Sequence, residues 1–220
     1  MPQSLSSTRL ETERRPAERL RVMSWNLLRR IGAGVGDVAD LASLYRPDLF
    51  LMQEATVEIA ELPKLIGGTL IREPMARRIY GLAAWSPRPI QSREAHPLPV
   101  SKLPGRVPPR LAQIVELDGV SFANVHLSHG QLLNRRQLAS VMQTLEGPAA
   151  IIGDYNAVGP VYLSEFQDIG PRRRTHRAAN VIPLRLDRCM ARGLRCAESK
   201  VLERGPSDHH PILLELEVDR

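Results

Sequence analysis

Apolar positions along this chain come in short runs of strand length and in stripes of helical spacing, and polar or glycine-rich breaks separate them. Leu20, Val22, Met23 and Trp25 predict a strand over residues 20–25, closed by Asn26. Beyond glycines at 32, 34 and 36, Val38, Leu41, Ala42 and Tyr45 repeat at i, i+3, i+4, i+7, the stripe of an amphipathic helix. Asp37 can cap its start, and Pro47 forbids its continuation. Residues 49–52 predict a second buried strand ending in Gln53-Glu54, a weaker helical stretch precedes Gly67-Gly68, and residues 80–86 predict a further strand. Residues 87–109 are rich in proline and arginine and read as a loop with some extended backbone. Two β-rich runs, 111–117 and 120–126, flank Asp118-Gly119, a strong hairpin signal. Leu138, Val141, Met142 and Leu145 make a second helical stripe, closed by Gly147-Pro148. An apolar run over 149–152 then stops at Gly153. A polar loop at 172–175, a strand over 183–190 carrying Asp187, a polar turn at 207–211 and an apolar strand over 212–218 complete the pattern.

Several of these strands end in residues that core strands do not need for stability. Asn26, Glu54, His126, Asp154 with Asn156, and Asp208 with His209 all follow apolar runs. If strand geometry persists past Gly153, Asp154 and Asn156 share a face, which sets a carboxylate beside a carboxamide. Such a pair suits a metal-bound water or a phosphate oxygen. The plainer reading of Gly153, Asp154 and Asn156 is a strand-to-loop turn. Recurrence of the pattern at five strand ends argues for a shared site.

Length and composition narrow the class. A chain of 220 residues with 43% hydrophobic and 25% charged residues predicts one globular domain over residues 20–220, behind a disordered lead-in over 1–19. No apolar run approaches the roughly 18 residues of a membrane span. The polar start carries no signal-peptide apolar region, so a cytoplasmic location is expected. Cys189 and Cys196 stand seven apart and read as free, buried thiols. The formal net charge is +6. Residues 71–110 hold eight basic side chains against Glu73 and Glu94, and residues 170–205 hold ten against Asp187, Glu198 and Glu203. Clustered arginine suits a polyanionic partner, nucleic acid above all, although a general bias toward arginine would give the same count.

Six segments in order, Ser24-Trp25-Asn26, Gln53-Glu54, Asn124-Val125-His126-Leu127, Gly153-Asp154-Tyr155-Asn156, Leu186-Asp187-Arg188 and Ser207-Asp208-His209-His210-Pro211, resemble the ordered motifs of the endonuclease/exonuclease/phosphatase superfamily. The resemblance implies an α/β fold: a four-layer α/β/β/α sandwich of two mostly antiparallel sheets, with helices outside and the active site at one edge. It also implies Mg²⁺-dependent hydrolysis of a phosphate ester by in-line attack of water, with Mn²⁺ as a substitute.

Glu54 matches the family's main metal ligand, and a divalent ion would relieve the cost of an unpaired carboxylate at a buried strand end. A salt bridge to an arginine is the alternative. Asn26 and Asp208 would complete a shell of oxygen donors, which suits Mg²⁺ or Mn²⁺ rather than Zn²⁺. By the same resemblance, Asp154 orients and helps deprotonate the attacking water, and Asn156 bonds a phosphate oxygen. His209 meets the scissile phosphate, and Asp187 takes its other ring N–H, unless Asp187 pairs with Arg185 or Arg188. His126, in the "N-x-H-L" form of the DNase, sphingomyelinase and phosphodiesterase branches, serves as a second acid or a phosphate ligand; otherwise it is a core histidine. Arg174 and its neighbours, with Arg77 and Arg78, are expected to meet substrate beyond the scissile bond. The expectation is a metal-dependent nuclease of low sequence specificity. Its rivals are a phosphoesterase on a small or lipid-derived ester, and a non-catalytic polyanion-binding module.

Overall fold

The computed structural model describes residues 19–92, 95–101, 108–178 and 182–219. Most of the lead-in expected over 1–19 therefore lies outside the described residues. In chain order the elements are β1 (Arg19–Asn26), α1 (Val35–Tyr45), β2 (Leu49–Thr56), α2 (Leu62–Ile66), β3 (Thr69–Pro74), β4 (Tyr80–Ser86), β5 (Gln91–Ser92) and β6 (His96–Pro97). They continue with β7 (Leu111–Leu117), β8 (Val120–His126), α3 (Gln131–Met142), β9 (Ala149–Asp154), β10 (Gln167–Asp168) and β11 (His176–Ala178). The last four are β12 (Ile182–Leu184), β13 (Asp187–Arg192), β14 (Leu194–Val201) and β15 (Ile212–Val218).

Two sheets carry the fold. One runs β14-β15-β1-β2-β4-β3; the other runs β10-β13-β9-β8-β7-β5, with β6 also on β7. Each is antiparallel except for one parallel pair at its centre, β1 with β2 and β8 with β9. Parallel neighbours need a crossover, which α1 and α3 supply. Leu20, Val22, Leu51 and Leu214 of the first sheet meet Val115, Phe122, Ile152 and Cys189 of the second in one buried cluster between the sheets. Met23, Trp25 and Phe50 turn the other way, onto Val38 and Ala42 of α1 and Leu62 of α2. Val125, Ile151 and Met190 likewise pack on Leu138 and Val141 of α3. Both faces of each central strand are thus buried, which explains the unbroken apolar runs and gives the four layers expected.

Asn124 lies on the face of β8 that looks between the sheets and is fully buried. Its amide donates to the carbonyls of Met52 and Ala83 at 3.1 Å and to Gln113 Oε1 at 3.0 Å. In return Gln53 Nε2 donates to Asn124 Oδ1 at 2.8 Å and to Ser24 Oγ at 3.0 Å. This buried polar bridge ties the two parallel pairs together just beneath their C-terminal ends.

Several elements differ from the sequence pattern. Asp37 does cap the start of α1, but from three residues beyond the N-cap residue Gly34, whose N–H it accepts at 2.8 Å. Helix α3 ends at Met142, so Leu145 packs from the following turn. The run expected over 183–190 is two strands, because Arg185 leaves the ladder to grip Asp168 with two short bonds of 2.6 and 2.7 Å. Strands β3 and β14 were not foreseen; both are half-exposed edge strands whose polar residues blur the alternation. Both cysteines are free, Cys189 buried and Cys196 only partly so.

Candidate active site

The topology brings five strand ends to one edge. Parallel neighbours finish side by side, so Asn26 ends β1 opposite Gln53, and His126 ends β8 opposite Asp154 of β9. The antiparallel strands start where these finish: Asp187 opens β13 opposite Asp154, and β15 opens beside Ser24, directly after the turn that holds Asp208 and His209. A cavity of about 380 Å³ there is lined by Asn26, Glu54, His126, Asp154, Asn156, Asp208 and His209 among others. Every expected catalytic or metal-binding residue except Asp187 therefore lines one pocket, whereas Arg77 and Arg78 are exposed and are not part of its lining. Asp187 lies behind it, bonded to His209, and Arg174 lies in the cavity next door.

Backbone detail aims these side chains. Gly153 is inside β9, not at its end, with φ at 142°; a Cβ there would stand 2.1 Å from the Val125 carbonyl oxygen. Only glycine lets β9 approach β8 closely enough to set Asp154 against His126. The ladder between β2 and β4 slips at Glu54, a bulge in which Glu54 takes a φ of 54°. Bulges redirect side chains beside functional sites. Asn156 also has a positive φ, 48°, and its amide donates to the Leu127 carbonyl at 3.0 Å. Ser207 holds the last turn: its hydroxyl donates to the Asn26 carbonyl at 2.7 Å and accepts the His209 N–H at 3.1 Å.

Asp154 is the hub. Its Oδ1 accepts the Asn156 N–H at 2.9 Å, and its Oδ2 accepts from the amides of Asn26 at 3.0 Å and Asn156 at 3.3 Å. His126 Nε2 and His209 Nε2 stand 3.4 and 3.7 Å from the same oxygen. Burial alone would raise this carboxyl, but the two imidazoles and the amide donors prevail and hold it below the usual range. The histidines differ from each other. Burial and the nearby Arg110 push His126 down to about 3, so it is neutral. Burial also opposes charge on His209, yet Asp187, Asp154 and Asp208 together raise it to about 10. His209 Nδ1 bonds Asp187 Oδ2 at 2.9 Å; Arg185 and Arg188 both turn to Asp168 instead.

Glu54 does meet an arginine. Arg29 Nε lies 3.3 Å from its Oε2, but without hydrogen-bond geometry, and that buried oxygen has no donor. Burial outweighs the pull of Arg29 and Arg110, so the carboxyl sits above its usual range. Asp208 Oδ1 is likewise buried with no donor. Two sets of donor atoms, His176-Asp208-His209 and Asp154-Asp187-His209, each lie within 4.8 Å of one another and can hold a metal ion.

Three site residues escaped the sequence reading. Arg110 lines the pocket with its Nε buried and without a partner among the described residues, and desolvation lowers its affinity for its proton. Thr175 Oγ1 accepts the backbone N–H groups of Leu186 and Asp187 at 3.1 and 3.0 Å, which fixes the start of β13. His176 lies with its ring centroid 4.4 Å from that of His209 and its Nε2 3.3 Å from Asp208 Oδ2. Arg110 and Thr175 adjoin strands and signal nothing by type. A histidine one residue after a threonine in an arginine-rich loop was the only available cue.

A larger cavity, about 1020 Å³, shares Val158 with this pocket. Its charged side chains, Asp168 with Arg172, Arg185 and Arg188, are spent on one another. The small pocket has the reactive groups.

The model of the Endonuclease/Exonuclease/phosphatase family matches residues 23–209, and the chain belongs to that family. With its buried cluster of aspartates and histidines it is a phosphoesterase of that family. Among solved structures, a humanized D. rerio TDP2 matches with a TM-score of 0.72 at 18% identity, over 91% of this chain and 99% of that one. The endonuclease/exonuclease/phosphatase from Bacteroides vulgatus matches at 0.74 and 15%, over 91% and 99%. D. rerio TDP2 complexed with a single-strand DNA product matches at 0.68 and 16%, again over 91% and 99%. At these identities the likeness establishes the fold. A search of curated proteins by sequence finds no match.

Proposed function

We propose that this protein is a divalent-cation-dependent phosphodiesterase that hydrolyses nucleic acid with little sequence preference. The observation that carries the reading is Asp154, a buried carboxylate whose Oδ2 lies 3.4 Å from His126 Nε2 and 3.7 Å from His209 Nε2, surroundings that hold its carboxyl below the usual range. Such a group can orient a water through one oxygen and take its proton as the oxygen–phosphorus bond forms. The products are a phosphomonoester and an alcohol. His209, kept charged and oriented by Asp187, donates from Nε2 toward the negative charge that grows on the phosphate oxygens. Neutral His126 is a poor acid, so of its two expected roles the phosphate contact fits better. Arg110, a guanidinium with an unfilled N–H, supports an anionic occupant in the same pocket.

The donors fit a hard cation. Among the described residues, Glu54 and Asp208 each keep a buried carboxylate oxygen without a donor, and the Asn26 Oδ1 accepts only the Leu28 N–H, which leaves a lone pair to spare. Glu54, Asn26 and Asp208 would hold Mg²⁺ or Mn²⁺, Asp208 being shared with the His176-Asp208-His209 set; Asp187 engages His209 Nδ1, so that ring could add only its Nε2. When bound, the ion supplies Lewis-acid polarisation of the phosphate oxygens.

Nucleic acid is favoured by the basic excess, net +6, and by the D. rerio TDP2 structure that carries single-strand DNA. The test is a panel of duplex DNA, single-stranded DNA, RNA, sphingomyelin and an inositol phosphate in Mg²⁺ or Mn²⁺. Cleavage of nucleic acid with an affinity that falls steeply with salt supports the reading. Turnover confined to a small or lipid ester, indifferent to salt, overturns the nucleic-acid part of it.

A further inference from the structure

We propose that a second cavity, adjoining the active-site pocket, is an anion subsite for the phosphate group neighbouring the one that is cleaved. The proposal rests on the phosphodiesterase reading above and assigns the substrate a second phosphate. The cavity, of about 520 Å³, is lined by Arg173, Arg174, His176, His210, Leu202 and Glu203 among others. His176 lines the active-site pocket as well, and its ring lies 4.4 Å from that of His209. One imidazole therefore separates the two chambers.

The arginines of this loop divide sharply. Arg172 bonds Asp168, as do Arg185 and Arg188 further along. Arg173 and Arg174 are exposed, and neither makes a hydrogen bond or ion pair among the described residues. Two free guanidinium forks face the cavity against a single carboxylate, Glu203, which leaves it positive. The backbone that carries the two arginines is also held close to the site. His210 N–H bonds the Thr175 carbonyl at 2.6 Å, Thr175 N–H bonds the Leu184 carbonyl at 2.9 Å, and the His210 ring is anchored to the Leu202 carbonyl at 2.8 Å. The arginine loop is thereby pinned to the turn that presents His209. An anion seated between Arg173 and Arg174 would lie a fixed step from the scissile phosphate, as the next phosphate of a chain does.

Two measurements test this. The first needs no turnover: inorganic phosphate is titrated into metal-free protein while the ring resonances of His210 and His209 are followed by ¹⁵N NMR. A saturable His210 shift, lost in Arg173→Ser/Arg174→Ser while the His209 response persists, is the expected result. A His210 ring that ignores phosphate, or responds equally in the variant, overturns the subsite. The second measurement compares thymidine 5′-(p-nitrophenyl phosphate) with and without a 3′-phosphate, and thymidine 3′-(p-nitrophenyl phosphate) with and without a 5′-phosphate. The extra phosphate should lower KM about tenfold in one of the two series, a gain charge-assisted hydrogen bonds readily give. The double variant should erase that gain, so that KM with and without the extra phosphate becomes the same. No gain in either series, or a gain that survives the variant, overturns the link to the scissile site. If the parents themselves are not cleaved, the phosphodiesterase reading fails, and the phosphate titration alone decides the subsite.

Discussion

His209 Nδ1 and Asp187 Oδ2 lie 2.9 Å apart, and they come from opposite sheets. Asp187 opens β13 of one sheet, while His209 stands in the turn that feeds β15 of the other. The bond crosses the mouth of the sandwich and sets the direction of the imidazole that faces the pocket. Replacing His209 with Ala should lower turnover on the order of 10²- to 10³-fold, the usual effect of removing a donor to a developing oxyanion. Asp187→Ala should cost somewhat less. Because both remove the same oriented ring, the double variant should be little slower than His209→Ala alone. Multiplying losses in a kinetic double-mutant cycle would mean that Asp187 acts elsewhere.

Asn124 should matter for stability, not chemistry. Replacing it with Leu strands Gln53, Gln113 and the Met52 and Ala83 carbonyls, all bonded to it between the sheets. A loss of about 2–4 kcal/mol in urea unfolding is expected. An unfolding midpoint unchanged from wild type would contradict the bridge described above.

The pattern of apolar runs revealed the strand ends, and with them most of the pocket, because Asn26, Glu54, His126 and Asp154 each interrupt a core strand. It could not reveal what long-range pairing decides. The two edge strands β3 and β14 are stabilised by partners and not by their own alternation. Arg110 directly precedes β7, and His176 opens β11 by pairing with Leu184 of β12, so neither placement is announced by residue type. The aim of Glu54 comes from a bulge that no residue type announces. The free forks of Arg173 and Arg174 became distinguishable from Arg172 only once Asp168 was seen to have taken the latter.

Acid should weaken the fold through His126. Its folded value, about 3, is far below the unfolded value near 6.5, so burial favours the neutral ring. Between those values the unfolded chain binds the extra proton. The contribution is complete above about pH 6.5 and fades as pH falls toward 3, by up to about 1.4 kcal/mol per pH unit. Chemical denaturation of metal-free protein from pH 7 to pH 4.5 should show a shallower decline for His126→Asn than for wild type. Parallel declines would place a proton on His126 already in the folded state.

Glu54→Gln keeps the shape of the side chain and removes its charge. Mn²⁺ affinity, followed by electron paramagnetic resonance, should fall at least about tenfold, since even the groups behind a ligand cost that much. Arg29→Ala should not weaken Mn²⁺ binding, because the arginine contacts Glu54 without a hydrogen bond. Unaltered affinity in Glu54→Gln would remove Glu54 from the cation site.

The central claim is that Asp154 activates water in a cation-dependent phosphodiesterase pocket, and hydrolysis of bis(p-nitrophenyl) phosphate tests it most directly. Wild type should release nitrophenol in Mg²⁺ or Mn²⁺, stop in EDTA and recover when the metal is returned. Asp154→Asn, with an unchanged circular dichroism spectrum, should retain less than about one hundredth of that rate. Release that persists in EDTA, or an Asp154→Asn protein that turns over at the wild-type rate, would contradict the account.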